Sequence, residues 1–489
     1  MFETPKSTEL LARAADLRTL PPTFNPDYVD KVVKPFFLTS KYEGESPLLP
    51  MIDLAFSKEA AVPPHIIGML YDSWTPNFEE EGVTVFLQGY DKRGPNNERK
   101  RIYVSATSPD LYGPMYSNKI KEFLDFLFDS QNEGKPLMQV YYQKFFDMYW
   151  DLHLGVKGKY IPAEVREIGS SFIAVFGFLY PTLQVVHDSY MRVRQLRQGL
   201  KDWVDSRIQD IIDGRVPDPE KTIVYYWVKN GELGENFRRK DMVFECFHNF
   251  LAFSQWAKVL YNIMLLLEET KGNPAVRLWF EKAMKDNPDK KDNSAFSPLD
   301  RFVMELFRTI PANPGSSSVL PALQQPFGSI PRGSGSIVTP HAKTNRDTLY
   351  WTNPDEFDPE RYKTAPTSEQ NDDGKAKQVG LKQPPFSKED FALKDGRQVS
   401  ITNSVFGAVY ARTESQSYPV CDTSGYAPFG FGYRRCGGEF LTVGFFKDAL
   451  RKIWDERISF MVLDIEHPEL LAVGPGTVVP DKLGFERSK

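Results

Sequence analysis

The stretch PFGFGYRRCGGEF, residues 428–440, holds one of only three cysteines in a chain of 489 residues. Four glycines and two arginines surround Cys436 within this stretch. Because glycine tolerates backbone angles that other residues avoid, the pattern predicts a tight loop on both sides of the cysteine. The apolar spacing after Gly438 predicts that a helix follows directly. A cysteine at this point is therefore expected to have a specific chemical purpose.

The overall composition indicates a folded protein with an apolar interior. Hydrophobic residues make up 41% of the chain and charged residues 26%. The net charge of -5 argues against nucleic acid as the main partner. Three cysteines cannot form a disulfide framework. The sequence shows no signal peptide and no long apolar window, so we expect no transmembrane anchor and a soluble, cytoplasmic protein, with peripheral membrane contact left open.

The sequence pattern changes twice along the chain, although we expect residues 1–489 to form a single domain. Residues 1–115 contain short β-like runs such as GVTVFLQGY and KRIYVSA. Residues 116–310 show apolar residues three and four apart, which predicts a helical core. Residues 311–489 are predicted to hold short strands and loops, with IPRGSGSIVTP as two strands around a turn and a surface insertion near 363–400. The predicted class is mainly α with small β-sheets.

Three interpretations of Cys436 compete: a buried small residue, a catalytic nucleophile, and a metal-thiolate ligand. A nucleophile needs a base, and no histidine lies nearby in the sequence. A thiolate at the start of a helix is stabilised by unpaired backbone N–H groups and by the helix dipole. Gly432 permits the tight turn, and Gly438 lets a flat cofactor approach the backbone. Physical chemistry therefore favours the metal ligand.

The pattern Phe429-x-x-Gly432-x-Arg434-x-Cys436-x-Gly438 resembles the heme-binding loop of the cytochrome P450 family. Two other segments resemble that family and occur in its order along the chain. They are MELFRTIP, which supplies Glu305-x-x-Arg308, and NPDEFDPERY, which supplies Arg361. The resemblance covers roughly residues 100–489 and implies the cytochrome P450 fold with heme b as the cofactor.

The resemblance also implies a role for each matching residue. Cys436 would be the axial thiolate ligand of the heme iron, with Phe429 packed against the thiolate. Arg434 would pair with a heme propionate, and Gly432 and Gly438 would shape the loop. Lys121, in NKIKEFLDFLF, would be the cation for the second propionate, although a lysine offers only a point charge.

Glu305, Arg308 and Arg361 would form a buried charged network that supports the cysteine loop. Removing one member of such a network leaves a buried charge unpaired, which costs roughly 3–5 kcal/mol. We therefore expect the network to govern folding and heme retention rather than the chemistry itself.

The long helix expected over the heme departs from the usual monooxygenase pattern. Its segment CFHNFLAFSQW offers Asn249, Ser254 and Gln255 as candidate catalytic residues but no acid–threonine pair. The segments CFHNFLAF and NKIKEFLDFLF look like those of the allene oxide synthase and hydroperoxide lyase branch, in which an asparagine lies over the iron. Against that branch, the cysteine loop lacks the insertion found there and looks like the ordinary family loop.

Three functions remain open at this point. The first is a heme-thiolate oxidoreductase, such as a monooxygenase, acting on an apolar small molecule or lipid with a separate redox partner. The second is a rearrangement of fatty-acid hydroperoxides, which needs neither dioxygen nor a reductase. The third is a heme-binding sensor, against which the many phenylalanines of the helical region argue.

Overall fold

The structure is a computed structural model, and the residues that it describes lie between 98 and 488. They are 98–178, 184–231, 237–285, 287–291, 296–312, 345–346, 351–363, 390–400, 428–429, 436–474 and 477–488, together with the short strand segments 316–318, 323–325, 328–330, 337–339, 410–412 and 417–419.

Ten α-helices are found in this part of the chain. They are α1 (Glu98–Val104), α2 (Asn118–Leu127), α3 (Leu137–Leu154), α4 (Ala163–Phe178), α5 (Gln184–Ile212), α6 (Ile223–Gly231), α7 (Arg239–Leu267), α8 (Pro274–Lys285), α9 (Pro298–Thr309) and α10 (Glu439–Asp455).

Local sequence signals explain where the key helices begin and end. Before α9, Ser297 and Asp300 form a capping box, and Pro298 occupies the first turn, where its missing N–H costs nothing. Helix α3 ends at Gly155, whose φ of 70° is left-handed and whose N–H donates to the carbonyl of Asp151. The capping box and Pro298 thus define the start of α9, which carries the predicted charged motif, and Gly155 defines the end of α3. Neither signal depends on contacts far along the chain.

Helix α7 runs through the centre of the molecule. It packs against α3, α4, α5 and α8 and against strands near the C-terminus. In the C-terminal half of α7, Trp256 stacks on Phe445 of α10 at 4.3 Å between ring centroids and donates from Nε1 to Thr442 Oγ1 at 3.0 Å. Among the described residues, α7 is long and apolar enough to cross a membrane, yet 61% of its most apolar window is buried inside the protein. It is a core helix, as its sequence predicts.

Twelve short strands in the described regions form six two-stranded antiparallel sheets. Strands β1 (Ser316–Ser318) and β4 (Ile337–Thr339) pair, as do β2 (Leu323–Gln325) and β3 (Gly328–Ile330), β5 (Asp390–Ala392) and β6 (Gln398–Ser400), β7 (Tyr410–Arg412) and β8 (Ser417–Pro419), β9 (Ile458–Val462) and β12 (Leu483–Arg487), and β10 (Leu470–Gly474) and β11 (Thr477–Pro480). The predicted class, mainly α with small β-sheets, is confirmed.

Two local predictions were wrong. The run KRIYVSA lies in and just after helix α1, not in a strand, because its buried residues pack against α6 and α7 and tertiary contacts override a weak β propensity. IPRGSGSIVTP does not form a hairpin of its own: β3 pairs with β2, and β4 pairs with β1. Residues 1–97, including GVTVFLQGY, and residues 364–389 of the expected surface insertion lie outside the described part of the chain.

Candidate active site

Cys436 stands directly before helix α10, at the end of the loop predicted from the sequence. Its backbone N–H donates to the carbonyl of Phe429 at 2.9 Å, which closes the loop, and Gly438 N–H donates to the Cys436 sulfur at 3.3 Å. The residue is exposed. An accessible sulfur that accepts an amide N–H at a helix N-terminus has the environment that stabilises a thiolate.

Cys246 shows the opposite environment, so the two described cysteines differ in chemistry. It is fully buried in α7, and burial, together with the charge of Glu245, raises the pKa of its thiol. A thiol in such a position stays protonated and is a poor metal ligand. Cys436 is therefore suited to bind a metal such as heme iron as a thiolate, and Cys246 is not. Cys421 lies outside the described residues.

Phe429 anchors the loop to the helices behind it. Its ring lies 4.9 Å from that of Phe307 on α9, measured between ring centroids. Phe307 in turn packs against Phe446 of α10 at 5.7 Å. Gly432 and Arg434, both predicted to contact the cofactor, lie outside the described residues.

The three residues of the predicted charged network lie together. The Glu305 carboxylate accepts from Arg308 Nε and Nη2, both at 2.8 Å, and from Arg361 Nε at 3.1 Å. It also accepts the backbone N–H of Asp358 at 2.9 Å and the hydroxyl of Tyr362 at 3.0 Å. Glu305 and Arg308 are 0% exposed. Such a group is tolerated in the interior because every charge has hydrogen-bond partners.

The arginines tie this network to the chain segment at residues 345–363. Arg308 Nη1 donates to the carbonyls of Asn345 at 3.0 Å and Pro354 at 2.6 Å. Arg361 Nη1 donates to the carbonyl of Thr352 at 3.0 Å. Both guanidinium groups lie against the ring of Trp351, at 5.3 and 5.7 Å. Sequence reasoning missed Trp351 and Tyr362, although Tyr362 directly follows Arg361 in the recognised segment.

The segment from α1 to residue 108 joins the cysteine loop to helix α7, and sequence reasoning did not identify it. Thr107 Oγ1 donates to the carbonyl of Gly437. Four residues earlier, the hydroxyl of Tyr103 donates to Asn249 Oδ1 at 2.7 Å. Burial, followed by the charges of Glu245 and Cys436, raises the pKa of the Tyr103 phenol well above its ordinary value. No sequence signal marked this segment, because its contacts are to residues far along the chain.

Asn249 is buried on α7 between two polar partners. Its Oδ1 accepts from Tyr103, and its Nδ2 lies 3.0 Å from His153 Nε2 on α3. His153 is fully buried, and burial lowers its pKa to about 3. The proposed catalytic asparagine is therefore one link in a neutral hydrogen-bonded chain.

Ser254 and Gln255 lie further along α7. The Ser254 hydroxyl is buried and donates to the carbonyl of Leu251 at 2.8 Å, so its proton is used within its own helix. Gln255 lies beside the β10–β11 hairpin: a side chain built at Gly474 would approach within 3.6 Å of its Cα. Their catalytic roles stay predictions.

Lys121 lies on helix α2, and its role as the cation for the second propionate stays a prediction. The lysine is exposed and borders a surface groove with Asp448, Arg451 and Glu456 of α10.

Comparison with solved structures supports the fold that the cysteine loop predicts. No protein-family model and no curated protein matches the sequence. Among solved structures, the heme domain of cytochrome P450DA is similar, with a TM-score of 0.58 and 14% identity over 91% of this chain and 87% of that chain. The chain has the cytochrome P450 fold. The fold predicted from the cysteine loop is thus confirmed.

Two further P450 structures show how wide this likeness is. A variant of cytochrome P450 OleT in complex with arachidonic acid has a TM-score of 0.52 and 16% identity, covering 90% of this chain and 87% of that chain. A zebra fish cytochrome P450 with abiraterone has a TM-score of 0.58 and 14% identity, covering 96% of this chain and 100% of that chain. At such identities the likeness concerns the P450 fold.

Proposed function

We propose that this protein is a heme-thiolate oxidoreductase that oxidises or oxygenates a lipophilic organic substrate. The observation that carries the proposal is the exposed sulfur of Cys436, which accepts a backbone N–H at the start of α10 in a P450 fold. A cysteine held in this way is suited to be an axial ligand.

Each of the predicted site residues would have a separate role around Cys436. Cys436 would bind the iron, and the N–H of Gly438 would temper the charge on the sulfur. Phe429 would cover the loop, and Gly432 and Arg434 would complete the contacts with the cofactor. When bound, thiolate-ligated heme would supply the electron density that favours O–O bond cleavage and, with it, the power to oxidise a substrate. Glu305, Arg308 and Arg361 would hold the backbone around residues 345–363 rather than take part in chemistry.

We infer that the substrate is a fatty acid or a similarly apolar molecule. Solved structures of the same fold were determined with arachidonic acid and with myristic acid. In this chain, α7 brings buried aromatic rings such as Phe247, Phe250 and Phe253 towards α3 and α4. These rings pack against one another in the core, so the inference of a lipid rests on the similar structures and on the apolar character of α7.

The second candidate function is the rearrangement of a fatty-acid hydroperoxide. Two observations favour it: the segment of α7 around Asn249 offers an amide where monooxygenases have an acid–threonine pair, and the Ser254 hydroxyl donates to its own helix. An amide donates hydrogen bonds but does not relay protons as an acid–alcohol pair does. A substrate that already contains the O–O bond would avoid this need.

Ligation is tested with the carbon monoxide complex of the reduced protein. We expect the absorption band characteristic of thiolate ligation, its loss in Cys436→Ser, and its retention in Cys246→Ser. The reason is that an alcohol is far less acidic than a thiol and cannot replace the thiolate. Retention of the band in Cys436→Ser would refute the ligand assignment.

The reaction class is tested by mixing the heme-loaded protein anaerobically with a fatty-acid hydroperoxide in the absence of a reductase. Rapid conversion to a rearranged product selects the second candidate. Hydroxylation that requires dioxygen and an electron donor, with hydroperoxide left unchanged, selects the first.

A further inference from the structure

Asn249, Tyr103 and His153 form a continuous hydrogen-bonded chain across three helices. Tyr103 O–H donates to Asn249 Oδ1 at 2.7 Å, and Asn249 Nδ2 meets His153 Nε2 at 3.0 Å. At the far end, His153 Nδ1 lies 2.8 Å from the backbone carbonyl of Tyr149. All three side chains are buried. The chain links α1, α7 and α3.

Only one arrangement of protons satisfies every link. A carbonyl can only accept, so His153 Nδ1 carries the proton that it donates to Tyr149. Burial keeps the ring neutral, with its pKa lowered to about 3, so Nε2 has a lone pair and accepts. Asn249 must therefore turn its NH₂ group towards His153 and its carbonyl oxygen towards Tyr103. A flipped amide would turn its oxygen towards the lone pair of His153 Nε2 and so break that buried hydrogen bond.

This arrangement leaves one N–H of Asn249 unused. An amide nitrogen carries two hydrogens, and His153 takes one. Within the described part of the chain, no further acceptor contacts Asn249 Nδ2. Because Asn249 is only 1% exposed, a donor left unpaired there is costly, and an oxygen that accepts from it gains accordingly.

The chain also touches the segment that holds the cysteine loop. Tyr103 and Thr107 lie four residues apart, and Thr107 donates to the carbonyl of Gly437, next to Cys436. In the same segment, the backbone carbonyl of Tyr103 accepts from Trp227 Nε1 at 3.1 Å, and the Tyr103 ring stacks on that indole at 5.2 Å. Tyr103 is thus held on both its ring and its backbone.

We propose that Tyr103 and His153 are positioning residues that lock the Asn249 amide, so that its second N–H is presented to an acceptor oxygen of the substrate. The proposal rests on the proposed heme-thiolate function, and it names the substrate feature that the site recognises: an oxygen with a free lone pair, as in a hydroperoxide. Asn249 is then a donor of fixed direction, and the two other side chains act only through it.

The test compares Tyr103→Phe, His153→Leu and His153→Gln with Asn249→Ala in the heme-loaded protein. Two quantities are measured: the infrared stretching frequency of carbon monoxide on the reduced heme, and the rate of hydroperoxide conversion. Tyr116→Phe is the matched control, because Tyr116 is also buried and donates its hydroxyl to the carbonyl of Ala106, within the same segment.

We expect Tyr103→Phe and His153→Leu to shift the frequency in the direction of Asn249→Ala and to slow conversion roughly three- to tenfold, the worth of one hydrogen bond. His153→Gln should restore part of the loss, because its amide oxygen can accept from Asn249. Combining Tyr103→Phe with Asn249→Ala should add little to Asn249→Ala alone. Tyr116→Phe should change neither quantity.

Unchanged frequency and rate in both Tyr103→Phe and His153→Leu overturn the positioning proposal. If Tyr103→Phe does not fold, the difference between His153→Gln and His153→Leu decides alone, and equal behaviour of these two overturns it. Failure of the heme-thiolate function is recognised separately, because the wild-type protein would then lack the thiolate absorption band.

Discussion

Two buried polar groups in this molecule differ in charge and in how completely they are satisfied. The Glu305–Arg308–Arg361 network is charged, and the Glu305 carboxylate alone accepts from two arginines, a tyrosine and a backbone N–H. The chain of Tyr103, Asn249 and His153 is neutral, and each of its links is a single hydrogen bond. The first group is saturated, whereas in the second, among the residues that the structure describes, one N–H of Asn249 has no acceptor.

We propose that this difference separates a structural role from a ligand-binding role. In the charged network the groups already have hydrogen-bond partners, so its expected contribution is to hold backbone segments together. A chain with one unused donor can bind a ligand and gain free energy on doing so. Each prediction below tests whether the two groups differ in this way.

The largest expected effect comes from removing one charge of the saturated network. Glu305→Ala leaves the guanidinium of Arg308 in the interior without its carboxylate, and Arg308→Ala takes two hydrogen bonds from the carboxylate. Each should lower the free energy of unfolding by roughly 3–5 kcal/mol and reduce heme content. Chemical denaturation and the ratio of heme to protein absorbance measure both quantities.

The exposed pair of Arg192 and Glu167 supplies the control for that prediction. Arg192→Ala should change the free energy of unfolding far less than Glu305→Ala, because solvent screens the pair. The Glu305→Ala/Arg308→Ala double variant should be less destabilised than the sum of the single variants, since the two charges are lost together. Fully stable, heme-loaded single variants would show that the network does not support the site.

A smaller effect is expected from the neutral chain as the pH falls. The unfolded His153 has its ordinary pKa of 6.5, and burial lowers the folded value to about 3. Between these values the unfolded chain binds a proton that the folded protein does not. The free energy of unfolding therefore decreases by about 1.4 kcal/mol for each unit by which the pH is lowered. This amounts to roughly 2–3 kcal/mol by pH 4.5.

Chemical denaturation at pH 7, 6, 5 and 4.5 measures how the free energy of unfolding depends on pH in the wild type and in His153→Gln. The variant lacks the titrating ring, so its stability should decrease less steeply as the pH is lowered. His467→Gln, at a side chain that is 91% exposed, serves as the control and should follow the wild type. Identical slopes for wild type and His153→Gln would mean that the ring is not held neutral in the folded protein.

The smallest effect is expected from deleting one tyrosine hydroxyl of the charged network. Tyr362→Phe removes one hydrogen bond to Glu305, whose Oε2 keeps its bond from Arg308. We expect a loss of about 1 kcal/mol in the free energy of unfolding and no change in the carbon monoxide stretching frequency. Tyr103→Phe makes the same chemical change in the other group and should move that frequency. A frequency shift in Tyr362→Phe would remove the distinction between the two groups.

Much of the fold was predictable because its signals are local. The apolar period of α7 identified a core helix, and Ser297, Pro298 and Asp300 mark the start of α9. Residues that the sequence placed one helical turn apart, such as Glu305 and Arg308, meet whenever the helix forms. The KRIYVSA segment was predicted wrongly, since nothing in seven residues indicates that a helix will pack against α6 and α7.

The sequence by itself determined the tight loop at Cys436 and the charged motif on α9, because each depends on residues close together along the chain, and the resemblance of these motifs to a known family indicated the P450 fold. Only the tertiary structure decided which residues meet around Asn249. Tyr103 lies 146 positions from it and His153 lies 96 positions from it. Thr107 and Gly437 are separated by 330 positions. Such contacts depend on how whole helices pack, which no short stretch of sequence specifies.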